Sequence, residues 1–212
     1  MLPATRLYVA TIAEDAVEAA ARFGSGLEIG EFCTAANMDE PAFFAWDASV
    51  CPKIEAVGAA RCVLHAPFAE LCPAAVDPLV REVAVRRFQQ AYRLAWGYGI
   101  RRMVVHTGYI PRVYWKEWFA ERSIAFWREF LSGKPADFEL LLENVLEEDP
   151  TLLADIARGV DDPRLRVCLD VGHAFLQPSV PLRGWVDALA PYLAHVHLHN
   201  NQGERDTHGG LE

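Results

Sequence analysis

Short apolar, β-branched runs alternate with longer stretches of helical period along this chain, and that alternation limits the available folds more than any other feature. The runs are "RLYVAT" (6–11), "GLEIGEF" (26–32), "RCVLHAPF" (61–68), "RRMVVHTGY" (101–109), "FELLLENV" (138–145), "LRVCLDVGH" (165–173) and "HVHLHN" (195–200). Each is apolar nearly throughout, as expected of parallel strands buried on both faces. The clearest intervening helix spans 78–97, where Asp77 can cap the start, Pro78 takes the first helical position, and Gly97 and Gly99 stop it. Asp149-Pro150 repeats that start signal before "TLLADIARGV". The segment "VYWKEWFAERSIAFWREFL" carries Trp115, Trp118, Phe119, Phe126, Trp127 and Phe130 largely at helical spacing, and reads as core packing. Seven strands in 212 residues give about one βα unit per 30 residues, the density of a (β/α)8 barrel, which needs roughly 250 residues for eight units. A doubly wound sheet would be favoured by a glycine fingerprint after the first strand, and "YVATIAEDAVEAA" has none. The expectation is an α/β fold, a parallel (β/α)8-type TIM barrel forming a single domain over 1–212, with the last βα unit lacking in the chain as given.

The polar residues in these strands fall at corresponding places. His65 closes "CVLH", His106 closes "MVVH", Glu143 closes "ELLLE", Asp170 closes "RVCLD", and His197 lies within "HVHLH". The intervals of 41, 37, 27 and 27 residues each suit one βα unit. In a parallel barrel such strand ends converge on the C-terminal face, where catalytic groups are built. Imidazoles and carboxylates buried together would repel or go unsatisfied unless a cation or proton balanced them.

Composition narrows the classes of function. A hydrophobic content of 52% over 212 residues is enough for a sizeable core. The net charge of −9 argues against a nucleic-acid partner, because phosphate neutralisation needs clustered Lys and Arg. Apolar runs shorter than ten residues argue against a membrane span, and "MLPATRLYVAT" lacks the pattern of a signal peptide. Five cysteines, odd in number and without a CxxC, point to reduced thiols in a cytoplasm.

With "LDVGH" and "DTH" added, the constellation resembles the xylose-isomerase-like TIM-barrel superfamily, through "HAPF", "VVHTG", "LLEN", "LDVGH", "VHLHNN" and "DTH" in that order. That group contains sugar and sugar-phosphate isomerases and epimerases, and the endonuclease IV type of AP endonuclease (AP endonuclease family 2). The resemblance implies that Glu143, Asp170 and His197 are three of the four ligands of one divalent ion, with Glu143 doubling as an acid/base. His173 matches a substrate-contacting position in the isomerases and a second-metal ligand in the endonuclease branch. His65, His106, Asp206 and His208 match further ligands of that branch's zinc cluster. Zinc and manganese both suit such a nitrogen and oxygen mixture. Asn200 departs from the family, where aspartate is frequent.

The implied activity is a divalent-metal-dependent isomerase or epimerase acting on a small sugar or sugar phosphate, by proton transfer beside a carbonyl held by the metal, with Glu143 and His173 as catalytic candidates. The alternatives are a zinc-dependent phosphodiesterase of the endonuclease IV type and a non-catalytic metal- or sugar-binding homologue. The family continues into an eighth strand carrying a second catalytic glutamate. A trimmed chain is the favoured explanation for an end at Leu211-Glu212, ahead of closure by a partner chain (a homo-oligomer among them) or a degenerate site. Of the other residues, Cys168 and His195 are expected to pack inside and Asn144 to support a ligand carboxylate or substrate. Glu28 suits either the pocket or a salt bridge, and His199 either a substrate contact or a solvated rim. Tyr109 and Trp115 lie where a lid could form.

Overall fold

Strand and helix alternate as the hydrophobic pattern requires in the computed structural model of the protein, which describes residues 7–177 and 179–210. Arg6 of the first expected strand, and Leu211 and Glu212, lie outside the described residues. The strands are β1 (Tyr8–Ala10), β2 (Gly26–Ile29), β3 (Cys62–His65), β4 (Arg102–His106), β5 (Glu139–Glu143), β6 (Leu165–Asp170) and β7 (Leu193–His197). They follow the order β1-β2-β3-β4-β5-β6-β7. Pairing is parallel between β1 and β2, β2 and β3, β3 and β4, β5 and β6, and β6 and β7. The helices between them are α1 (Ala16–Phe23), α2 (Ala42–Val57), α3 (Pro78–Gly97), α4 (Lys116–Leu131), α5 (Thr151–Val160), α6 (Val171–Phe175) and α7 (Leu182–Leu189). The parallel α/β architecture of a TIM barrel short of its final unit is therefore present. Among the described residues no helix is long and apolar enough to cross a membrane.

The chain divides into two units, Met1–Leu71 with Val83–Val105, and Cys72–Glu82 with His106–Glu212. In the first, Leu27 and Ile29 of β2, Val63 and Leu64 of β3 and Phe88 of α3 are fully buried. In the second, Leu140, Leu141 and Leu142 of β5 and Val167 and Cys168 of β6 are buried without alternation, as strands covered on both faces must be. Phe119, Phe126, Trp127 and Phe130 of α4 join that core, as their spacing predicts. Trp115 does not: it precedes the helix and is 82% exposed, so the aromatic stripe begins one turn later than expected. Gly159 of α5 lets Ile124 of α4 approach so closely that an added Cβ would lie 2.2 Å from Ile124 Cδ1.

Asp77 starts α3 as expected, its Oδ1 accepting the Leu79 amide at 2.7 Å. Asp149 Oδ1 likewise accepts the Thr151 amide at 2.9 Å before α5. The last strand is displaced from its expected limits. It begins at Leu193 and ends at His197, and the chain then leaves the sheet, with Leu198 61% exposed. Asn200 instead forms an antiparallel bridge with Gly209, each amide donating to the other's carbonyl at 2.9 and 2.6 Å. That clasp closes the segment carrying Asp206 and His208.

Candidate metal centre

His65, His106, Glu143, Asp170 and His197 are each the last residue of their strand. This follows from the sequence, since an apolar run ends where a side chain must leave the core for polar company. His65 belongs to the first unit, where its Nδ1 lies 2.9 Å from the Ala66 carbonyl and its ring meets Phe68 edge-on. His106, Glu143, Asp170, His173, His197, Asp206 and His208 all belong to the second unit.

Glu143 joins most of the donors of that unit, 1% exposed at the end of β5. Its Oε1 lies 3.0 Å from His197 Nδ1 and 3.7 Å from His173 Nδ1, while Oε2 lies 3.3 Å from His106 Nε2. Asp170, also 1% exposed, has Oδ2 at 3.6 Å from the same His197 nitrogen. One ligand atom each from Glu143, Asp170 and His197 falls within 4.8 Å of the others. A divalent ion with ligand bonds of about 2.0–2.2 Å spaces its donors at roughly 3 Å, so these three residues fit one. Burial alone would raise the Glu143 carboxyl, but the charges of His197 and His106 and their hydrogen bonds hold it well below the ordinary range. Asp170 is also pushed up by burial and brought below its usual value by the His197 hydrogen bond, the His173 charge and the His173 amide.

Two neighbours fix the ligands in place. Asn144 receives the Asp170 amide on Oδ1 at 2.8 Å and donates Nδ2 to the Asp170 carbonyl at 3.0 Å, tying the end of β6 to the residue after Glu143. Asp170 Oδ1 accepts the His173 amide at 2.8 Å and so caps α6. Sequence reasoning did not find Glu147. It is 1% exposed, accepts the Val145 amide at 2.6 Å and is hydrogen-bonded by the Thr107 hydroxyl. Burial raises its carboxyl above the ordinary range, although these hydrogen bonds oppose the shift. No motif marks it, since a glutamate in "LEEDP" reads as a surface turn.

A second group lies beside the first. His173 Nδ1 faces the Asn144 carbonyl at 2.8 Å and can only donate there, which leaves Nε2 directed at Asp206 Oδ2 at 3.0 Å. In a neutral imidazole that would set a lone pair against a carboxylate, so a proton or a metal ion belongs between them. Burial lowers the His173 pKa, but Asp170 and Glu143 outweigh it and leave it raised. His208 Nε2 lies 2.9 Å from the same Asp206 oxygen. His199 is not a solvated rim residue. Its side chain is 9% exposed, and its Nε2 lies 3.0 and 3.1 Å from the two oxygens of Asp170. No alternation in the sequence could place it, because β7 has already ended. His195 and Cys168 are buried as expected, and Tyr109 is 4% exposed.

Comparison with known proteins adds four matches. The family model described as "Xylose isomerase-like TIM barrel" matches residues 17–211. An uncharacterized protein of Methanocaldococcus jannaschii, MJ1311, is 30% identical over 159 residues, covering 69% of this chain and 53% of that one, so the chain spans about half the length of that relative. Among solved structures, the TTHB071 protein of Thermus thermophilus, soaked with ZnCl2, is 28% identical with a TM-score of 0.73, covering 97% of this chain and 81% of that one. A D-tagatose 3-epimerase-like protein shares the fold at a TM-score of 0.73 and 22% identity, over 95% of this chain and 78% of its own.

Proposed function

The chain belongs to the xylose isomerase-like TIM-barrel family, and on that premise we propose that it is a divalent-metal-dependent isomerase or epimerase of a small sugar or sugar phosphate. One observation carries the reading: a fully buried carboxylate, Glu143, held ionised among imidazoles and within ligand spacing of Asp170 and His197. A carboxylate held that low is a ready ligand but a weak base. An ion bound there would polarise a sugar carbonyl and acidify the neighbouring C–H, bringing proton removal within reach of Glu143. Asp170 and His197 hold their positions through Asn144 and Glu143, so the donors need little rearrangement. His173, its Nδ1–H fixed on the Asn144 carbonyl, would offer Nε2 to a substrate oxygen by exchanging the Asp206 carboxylate it faces at 3.0 Å. The acidic balance of the chain suits a small polar substrate better than a duplex, and five free cysteines fit a cytoplasmic location.

A zinc phosphodiesterase is the second reading, favoured by the additional donors His106, Asp206 and His208. Metal content by mass spectrometry on the wild type, Glu143→Ala and His106→Ala separates the two, alongside solvent deuterium exchange into ketoses and cleavage of abasic-site DNA. Loss of the metal and of exchange in Glu143→Ala, with the metal kept in His106→Ala, supports the sugar enzyme. Cleavage of abasic DNA without deuterium exchange overturns it. Metal held with neither activity turns the reading towards a binding homologue.

A further inference from the structure

Strands β6 and β7 meet in two registers. Val167 lies opposite Leu193, but the next pair is Cys168 with His195, so β7 takes up one extra residue, Ala194, and Asp170 then falls opposite His197. A bulge of this kind changes which side chains face one another. Had the first register run on, Ala194 would lie beside Cys168 and Val196 beside Asp170, and both histidines would face the other side of the sheet. The bulge thus gives the two strands successive rungs on one face. The outer rung, Asp170 with His197, belongs to the first donor group. The inner rung, Cys168 with His195, does not, and the ligand set implied by the family contains neither residue.

Cys168 is fully buried and His195 is 9% exposed, while the His197 side chain, at the end of β7, is 18% exposed and gives a way in. The His195 and His197 rings stand edge-on, with centroids 5.4 Å apart. One ligand atom from each of Cys168, His195 and His197 falls within 4.8 Å of the others. Tetrahedral zinc, with bonds of about 2.3 Å to sulfur and 2.0–2.1 Å to nitrogen, spaces such donors about 3.3–3.6 Å apart, so small side-chain rotations bring them to one ion. The Nδ1 of His197 faces Glu143 at 3.0 Å, so an ion on the inner rung would use the other ring nitrogen.

We propose that Cys168, His195 and His197 form a thiolate site for an ion of the zinc class, one rung inside the first group and joined to it through His197. A thiolate with two imidazoles selects zinc or cobalt over manganese, magnesium or calcium, which prefer oxygen donors. Cys168 binds as the thiolate, its proton passing to solvent as the ion enters. The zinc–thiolate pair then carries one net positive charge, and the carboxylates of Glu143 and Asp170 on the outer rung side are held ionised to offset it. Three protein donors leave the fourth position to water. The inference does not rest on the sugar reading, which uses neither Cys168 nor His195.

The test is titration of reduced, chelator-treated protein with Co(II), reading the near-ultraviolet charge-transfer band that a thiolate bound to cobalt produces. The first group contains no sulfur and adds nothing to that band. Wild type is expected to show the band and to lose it when excess Zn(II) is added. Cys168→Ala and His195→Ala are expected to lack it, whereas Glu143→Gln, which weakens the first group but keeps an acceptor for His197, retains it. Should either alanine variant lose its fold by circular dichroism, Cys168→Ser or His195→Gln keeps more of the side-chain volume, and the same loss is read there. Absence of the band in wild type overturns the assignment. So does a band that survives in the folded Cys168 variant, which would belong to another cysteine, or one undiminished in the His195 variant, where that histidine would only pack. Loss of the band in Glu143→Gln overturns it as well, because the thiolate would then serve the ion of the first group.

Discussion

Replacing Gly172 by alanine tests whether the seat of His199 is as tight as its geometry indicates. Gly172 does not have the positive φ that only glycine tolerates, so its backbone accepts alanine. Within α6 the change would by itself favour the helix by about 1 kcal/mol. Against this, the new Cβ meets the His199 ring at 2.0–2.5 Å, and those ring atoms are its three nearest neighbours. If the ring stays, the overpacking costs about 1–3 kcal/mol. If it swings away, the hydrogen bond to the Asp170 carboxylate is lost, at about 1.5–3 kcal/mol for a charged partner. Set against the helix gain, either route leaves a net loss of up to about 2 kcal/mol, a fall in Tm of up to roughly 4–8 °C for a chain of this size. The assay is thermal unfolding in chelator, in wild type and in a His199→Ala background. Without the ring the clash vanishes and Gly172→Ala becomes stabilising, giving a coupling of about 1–3 kcal/mol between the two positions. Equal destabilisation in both backgrounds would refute the close approach.

Removing the cap in Asp77→Ala is expected to cost about 0.5–2 kcal/mol in denaturant midpoint, with the m-value unchanged. Glu147→Gln keeps an acceptor for the Val145 amide and a polar partner for Thr107 while removing a buried charge. Because the folded Glu147 pKa is raised, the charge is absent below the ordinary glutamate pKa of about 4.3 and its cost appears as pH rises. The variant's stability advantage, measured by urea unfolding, should therefore widen as pH rises from about 4.3 and level off above the raised folded pKa, and a gap independent of pH would refute the burial effect. Adding Zn(II) or Mn(II) at about 100 times the dissociation constant should stabilise the apo protein by about 2.7 kcal/mol per site, read as a rise in Tm that a chelator reverses and Glu143→Ala reduces.

The strand ends were legible because each combines an unbroken apolar run with one terminal donor, and both properties are local. The starts of α3 and α5 were legible for the same reason, since Asp77 and Asp149 make capping bonds to amides two residues on. Helices α1, α2 and α7 start without any side-chain cap, and the sequence offered no comparable signal there. The burial of His199 is not legible in the sequence because it depends on where β7 ends and on the gap left by Gly172, neither of which a two-residue period reports. Glu147 was missed because its burial depends on Thr107, 40 residues away in sequence. The misreading of Trp115 is one of phase: the stripe was right, but its first member lies before the helix.

The Asn200–Gly209 clasp gives the segment it closes a thermodynamic role separate from its side chains. Asp206 and His208 are held near His173 before any ion arrives, so much of the entropy of gathering donors from a loose loop is lost on folding instead of on loading. Weakening the clasp would lower ion affinity with every donor intact, and mostly by speeding release. Two backbone hydrogen bonds would thus lengthen the residence time of any ion bound at Asp206 and His208 without touching it.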